Sequence, residues 1–150
     1  ERSLSLSAVV LTHGHWDHTD GLGDVLAAWP EAAVYHHTAN VAGVAATPLK
    51  QGDTLALGSI RGRVVETPGH TPDGISLILD ETPACPGMVF TGDALFAGSV
   101  GGTSNPHDYE TQLDHVRRNL LSLPGHYEIH VGHGPSSTIA IERSYNPFFV

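Results

Sequence analysis

A short apolar run, Ala8-Val9-Val10-Leu11, is followed at once by Thr12-His13-Gly14-His15-Trp16-Asp17-His18. The apolar run reads as a buried strand, and the turn residues after it put the rest in a loop at the strand's end. Three imidazoles and a carboxylate in so short a loop suit Zn or Fe. His13 and His15 are two apart, and Asp17 and His18 are adjacent. The loop can therefore turn side chains toward two neighbouring points, which is compatible with two metal ions. A polar loop with chance histidines is the competing reading. With 11 His in 150 residues an isolated His says little, but this spacing is not isolated.

Two ions need more donors, and the same grammar of strand, turn and donor recurs. Thr67-Pro68-Gly69-His70-Thr71-Pro72 carries one His between two apolar runs. Met88-Val89-Phe90-Thr91-Gly92-Asp93 is an apolar run ending in an acid, and Ile129-His130-Val131-Gly132-His133-Gly134 ends in a His among glycines. Strand ends that face one way are where layered α/β folds build sites. Taken alone, an Asp after a strand is usually a cap, and Gly-His-Gly is usually a loop. The ordered set is the signal.

Between these points the chain alternates strands and helices. Strands are expected at Ala8–Leu11, Ala33–Tyr35, Thr54–Leu57, Arg61–Glu66, Ile75–Leu79, Met88–Thr91 and Glu128–Val131. Helices are expected at Gly21–Trp29, with Asp20 as N-cap, at Tyr109–Leu123, where Leu113, Val116 and Leu120 form a stripe, and at Thr138–Tyr145. Thr38–Val44 reads as a helical turn. The length allows one domain, residues 1–150, with a real core.

Composition removes several function classes. The formal net charge is −9 with only seven Lys and Arg, which argues against nucleic acid, whose phosphates call for cations. No stretch approaches the roughly 20 apolar residues of a membrane span. No signal peptide is visible, and the cytoplasm is the expected setting. The one cysteine, Cys85, excludes an internal disulfide and reads as a surface-loop thiol.

With these motifs in place, the sequence resembles the metallo-β-lactamase superfamily. The residues that carry the resemblance are His13, His15, Asp17, His18, His70, Asp93 and His133. Within the superfamily it is most similar to the small glyoxalase II-like hydrolases. Thr67-Pro68-Gly69-His70-Thr71-Pro72-Asp73-Gly74, Phe90-Thr91-Gly92-Asp93-Ala94-Leu95-Phe96 and Gly132-His133-Gly134-Pro135 carry that finer likeness, with Tyr109-Glu110-Thr111 and Asn146-Pro147. The resemblance implies an α+β fold, a four-layer αββα sandwich. It also implies that the first strands are missing. The histidine motif starts at His13, there is no initiator Met, and Glu1-Arg2-Ser3 reads as mid-domain sequence. That would leave one sheet with an open edge.

The resemblance implies roles as well. His13, His15 and His70 are expected to hold one divalent ion, and Asp17, His18 and His133 the other. Zn is preferred, with Fe or Mn compatible. Asp93, with its two carboxylate oxygens, is expected between them. A water shared by the ions is the expected nucleophile on a thioester such as a hydroxyacylglutathione, or a related ester, so the partner is a small acyl substrate. Asp17 is a further candidate for orienting that water, and Thr12 and Thr91 for fixing ligand orientation. Gly102 stands where related small hydrolases carry an arginine, which puts thioester specificity in question.

Two other readings compete. One is a mononuclear iron dioxygenase resembling the persulfide dioxygenases, using His13, His70 and Asp93. His133 argues against it by favouring a second ion. The other is a truncated, non-catalytic metal-binding domain. A true β-lactamase is disfavoured by Asp93, where the zinc β-lactamases generally use Cys. Among the remaining histidines, His36 and His37 are expected at a helix start or surface, and His115, His126 and His130 away from the chemistry. His107 is expected nearer the site. Trp16 is expected to shape the pocket wall or to pack, and Tyr109 to contact a helix cap or substrate.

Overall fold

The computed structural model describes residues 4–83 and 85–150. In order, its elements are β1 (Ala8–Val10), α1 (Trp16–Thr19), α2 (Leu22–Ala28), β2 (Ala33–His36), β3 (Asn40–Val41), β4 (Val44–Ala45), β5 (Thr47–Pro48), β6 (Thr54–Leu57), β7 (Ile60–Glu66), β8 (Ile75–Leu79), β9 (Met88–Gly92), α3 (Pro106–Asn119), β10 (Glu128–Val131), β11 (Ser137–Thr138) and α4 (Ile139–Tyr145). They form a parallel three-stranded sheet, β1-β2-β5, and a six-stranded sheet, β11-β10-β9-β8-β7-β6, with β3 and β4 as a separate hairpin.

Alternation along the strands stacks these sheets. Successive strand residues face opposite sides. Val64 and Leu77 therefore enter one apolar cluster, while Val65 and Ile78 enter another. The first cluster lies between the sheets, where Val10 of β1 and Tyr35 of β2 pack against Val64, Ile75, Leu77 and Leu79. The second joins the outer face of the large sheet to α3 and α4 through Leu113, Val116, Leu120 and Ile139. A third joins Val9 and Val34, on the other face of the small sheet, to Leu22 and Leu26 of α2. Helix, sheet, sheet and helix thus follow in order, which is the αββα sandwich. Each fully buried Val, Leu or Ile contributes roughly 1.5–3 kcal/mol. No helix among the described residues is long and apolar enough to cross a membrane.

Strand direction positions the site. β7 and β9 each run antiparallel to β8, and β10 runs parallel to β9. The C-terminal ends of β7, β9 and β10 therefore share one edge of the large sheet. That edge carries His70, Asp93 and His133. The loop after β1 meets it from the small sheet, and the amide of Ile75 donates to Thr12 O at 2.8 Å.

Several local expectations change. Residues 38–44 are not a helical turn but lead into the β3–β4 hairpin, where Ala42 (φ 50°) and Gly43 (φ 78°) take the left-handed turn that a tight hairpin requires. Asp20 does not cap α2; Gly21 occupies that position, and Asp20 closes α1. α3 starts earlier than expected because the Asn105 side chain accepts from the Asp108 amide at 3.0 Å and Pro106 follows at the first turn. It ends at Asn119, so Leu120–Leu123 lie beyond it. The β1 residues are only half-buried, as suits the end position of β1 in its sheet, and Leu11, just past the strand, is buried. Cys85 is buried rather than exposed, because its backbone pairs with Thr82 in a tight turn that folds it inward.

Candidate metal centre

All seven sequence-predicted donors meet at the shared strand edge. His15 Nδ1 lies 3.0 Å from His70 Nε2. His18 Nε2 lies 3.2 Å from His133 Nε2, and His133 Nε2 lies 3.1 Å from Asp17 Oδ2. The donor atoms form three overlapping groups, each within 4.8 Å: His13 with His15 and His70, His13 with His18 and Asp93, and Asp17 with His18 and His133. Asp93 sits between the first of these, the inner group, and the last, the outer group. Its Oδ1 is 3.3 Å from His18 Nε2, and its Oδ2 is 3.5 Å from His70 Nε2 and 3.6 Å from His133 Nε2.

This geometry suits a cation. Two donors bound to one zinc ion at about 2.0–2.2 Å in tetrahedral geometry stand about 3.4 Å apart, and the distances above scatter around that value. The donors also point inward with lone pairs unspent. His70 Nδ1 donates to Gly102 O at 2.7 Å, which leaves Nε2 facing the cluster as an acceptor. His13 Nε2 and Asp93 Oδ1 are buried with no hydrogen-bond partner. A buried polar atom without a partner costs about 1–3 kcal/mol, and a cation among them would offset that cost.

Electrostatics agree. Burial, followed by the neighbouring His18, pushes the His13 imidazole down to about 4; Asp93 opposes this, and His70 and His15 reinforce it. His13 is therefore neutral at pH 7 with its lone pair available. Desolvation tends to raise Asp17, but its own backbone amide and the charges of His18 and His133 outweigh it and hold the carboxyl below the usual carboxylate range.

Glycines make the close approach possible. A Cβ on Gly132 would lie 2.0 Å from Asp93 Oδ1 and 2.8 Å from His18 Cε1. A Cβ on Gly101 would lie 2.1 Å from Asp93 O and 2.9 Å from His70 Nδ1. Neither role was visible without strand register, although both glycines fall within or beside motifs already singled out.

The remaining candidates separate. Thr12 Oγ1 contacts His13 Nδ1 at 3.2 Å, whereas the Thr91 hydroxyl donates to Leu95 O at 2.8 Å and shapes the turn around Asp93. His36 is neither at a helix start nor on the surface. It closes β2, and its Nε2 faces Asp73 Oδ2 at 3.0 Å because that strand packs its alternate residues inward. His107 is exposed in the first turn of α3, on a groove shared with Glu110, Asp114 and Arg117 and with none of the seven donors. His115 contacts Glu66 O, His126 pairs with Glu81, and His130 stacks on Phe90. Trp16 is 75% exposed beside the donors, and Tyr109 packs toward Phe148.

A family model, the metallo-β-lactamase superfamily, matches residues 2–133. The chain belongs to the metallo-β-lactamase superfamily. Among its relatives, the probable metallo-hydrolase YqgX of Bacillus subtilis is 32% identical over 169 residues, covering 99% of this chain and 78% of that protein. A hydroxyacylglutathione hydrolase of Glaesserella parasuis is 33% identical over 135 residues, covering 89% of this chain and 53% of its own length. The chain thus spans about half the length of that relative. Among solved structures, ETHE1 from Myxococcus xanthus superposes with a TM-score of 0.82 at 32% identity, over 96% of this chain and 63% of that one. A metallo-β-lactamase fold with hydrolase relatives and His/Asp candidate metal sites is therefore secure.

Proposed function

We propose that this superfamily member is a binuclear metal-dependent hydrolase that cleaves the thioester of a small acyl compound, with hydroxyacylglutathione as the leading class and related esters next. The observation that carries the reading is Asp93 standing between two sets of donors, with one oxygen toward His18 and the other toward His70 and His133. Hydroxyacylglutathione hydrolases among the relatives supply the substrate class. His13, His15 and His70 would hold one ion, and Asp17, His18 and His133 the other, with Asp93 shared. Zinc suits these donors best, with iron or manganese compatible. Bound divalent ions supply an acidified water and polarise the substrate carbonyl.

The protein residues do the rest. Asp93 holds the two donor sets at fixed separation. Gly102 O and Thr12 orient the His70 and His13 rings, so that each presents a lone pair inward. Asp17 keeps an ionised oxygen at the outer, solvent-facing group, where it accepts a proton or steers a water toward the carbonyl.

A second reading, an iron dioxygenase of the persulfide type using His13, His70 and Asp93, is favoured by the likeness to ETHE1. It leaves the meeting of Asp17 with His133 at 3.1 Å without a purpose. Elemental analysis of the purified chain together with S-lactoylglutathione hydrolysis tests the choice. Two ions per chain with turnover are expected. One iron with oxygen uptake on a persulfide would overturn the hydrolase in favour of the dioxygenase. Bound metal with no turnover of any acyl substrate would leave a non-catalytic domain.

A further inference from the structure

The donors come from two sheets, so the sheets must be held at one separation for the inner group to close. Two adjacent histidines at the end of β2, His36 and His37, lie against the loop that carries His70, residues 67–74, near both its ends. His37 Nδ1 lies 3.8 Å from Glu66 Oε1, and His36 Nε2 lies 3.0 Å from Asp73 Oδ2. The second contact is the closer and deeper one, with the His36 side chain 1% exposed against 20% for His37. The amide of Thr38 donates to His36 Nδ1 at 3.1 Å, which leaves the ring proton on Nε2, the nitrogen that faces Asp73.

Asp73 has a second neighbour. A Cβ on Gly14, between His13 and His15, would stand 3.0 Å from Asp73 Oδ2. One carboxylate therefore stands beside the loop of His13 and His15, belongs to the loop of His70, and faces His36 of β2. Burial raises the Asp73 carboxyl, but the neighbouring Thr71 and His36 side chains outweigh this and hold it below the usual carboxylate range. A buried polar contact of this kind is weak evidence of stability. Its value here is geometric.

We infer that His36 and Asp73 are positioning residues that fix the span between the His13–His15 loop and the His70 loop, and so set the metal affinity of the inner group. The inference rests on the reading that these donors hold an ion. Among the described residues the outer group, Asp17, His18 and His133, shares no hydrogen bond or ion pair with either residue and is affected less.

The test uses the full chain, stripped of metal and titrated with Co²⁺, in the wild type and in His36→Gln, Asp73→Asn and His36→Ala. Cobalt absorption reports the ligand geometry, elemental analysis the stoichiometry, and thermal unfolding of the metal-free forms the fold. The near-isosteric variants, His36→Gln and Asp73→Asn, are expected to fold. They should bind the inner ion about 10–100-fold more weakly, the usual cost of losing support behind a ligand, with a shifted cobalt spectrum and an unchanged outer site. Wild-type affinity and spectrum in both isosteric variants would overturn the inference alone. So would equal weakening of both sites with a lowered unfolding temperature, or failure of both isosteric variants to fold, since the pair would then be a general structural contact. A wild type that takes up no cobalt would overturn the inference together with the metal reading on which it rests.

Discussion

The inner group is three histidines and the outer two histidines with an aspartate, and the two differ in support. His13 is 2% exposed, and Thr12 and Gly102 hold the rings of His13 and His70 from behind. His133 is 56% exposed at its side chain and Asp17 36%, and their close contacts are with each other and with His18 and Asp93. A buried donor held from behind, such as His13, keeps one orientation and reorganises little around an ion, whereas exposed donors, His15 among them, remain free to exchange water. On the proposed reading, His13 and His70 would retain the inner ion and the outer group would admit substrate.

Asp93 stands between the two groups, so its removal should erase the difference. Asp93→Ala is expected to reduce S-lactoylglutathione hydrolysis to background and to leave less than one firmly held ion per chain, read by elemental analysis after dialysis. Full activity in this variant would sink the mechanism, and the same holds for His15→Ala.

Removing one donor from each group should then separate them. His70→Ala should strip the inner ion, while His133→Ala should keep one tightly held ion and lose the other. Because losing mere support for a ligand costs about 10–100-fold in affinity, losing the ligand should cost at least about a hundredfold at its own site. Chelator competition on the two variants decides the point. Identical metal retention in both would abolish the division into inner and outer.

Gly132→Ala probes the wall between the groups without touching a donor. The added methyl would overlap Asp93 Oδ1 at 2.0 Å and crowd His18, so Asp93 must turn away. Overpacking of this kind costs roughly 1–3 kcal/mol, and activity should fall with it. Gly23→Ala, whose Cβ would meet nothing within 4 Å, is the control. Equal activity in the two variants would show that the close approach at Gly132 is not needed.

The buried His13 should also show in the pH dependence of the metal-free chain. His13 titrates near 6.5 when unfolded and at about 4 when folded. Between those values the unfolded chain binds the extra proton, so stability falls as pH drops from 6.5 toward 4. Denaturant midpoints at pH 7 and pH 5 measure it, and His13→Gln should flatten the difference. A dependence unchanged by that variant would place the titration elsewhere.

The donors could be read from the sequence because four sit in one loop and the other three each follow an apolar run at a turn. Layering was legible for a similar reason, since alternation in Arg61–Glu66 and Ile75–Leu79 already separates two faces. What escaped was whatever depends on contact between distant segments. His36 looks like a surface residue until Asp73 is brought to it from another sheet, and Gly132 looks like turn punctuation until β10 lies beside β9. Two misses were local. Ala42 at positive φ hid a hairpin, because alanine rarely signals that conformation. At the start of α3, Asn105-Pro106, a capping side chain before a proline, is a stronger boundary signal than the apolar stripe that follows it.

The smallest expected effect belongs to His107, which the sequence placed nearer the site than its other surplus histidines. It is exposed at the start of α3, and the groove it lines is shared with Glu110, Thr111, Leu113, Asp114 and Arg117. The loop before it does reach the centre, through Gly101 and Gly102, so proximity in sequence alone would give His107 a role. Asn105 ends that reach by capping the helix and turning the chain away. His107→Ala should therefore leave metal content and KM unchanged and move stability by no more than about 0.5 kcal/mol, the usual range for an exposed substitution. A raised KM with unaltered metal content would mean that the acyl substrate extends past the Gly101–Gly102 loop onto α3, and that the outer group is only the nearer end of a longer binding face.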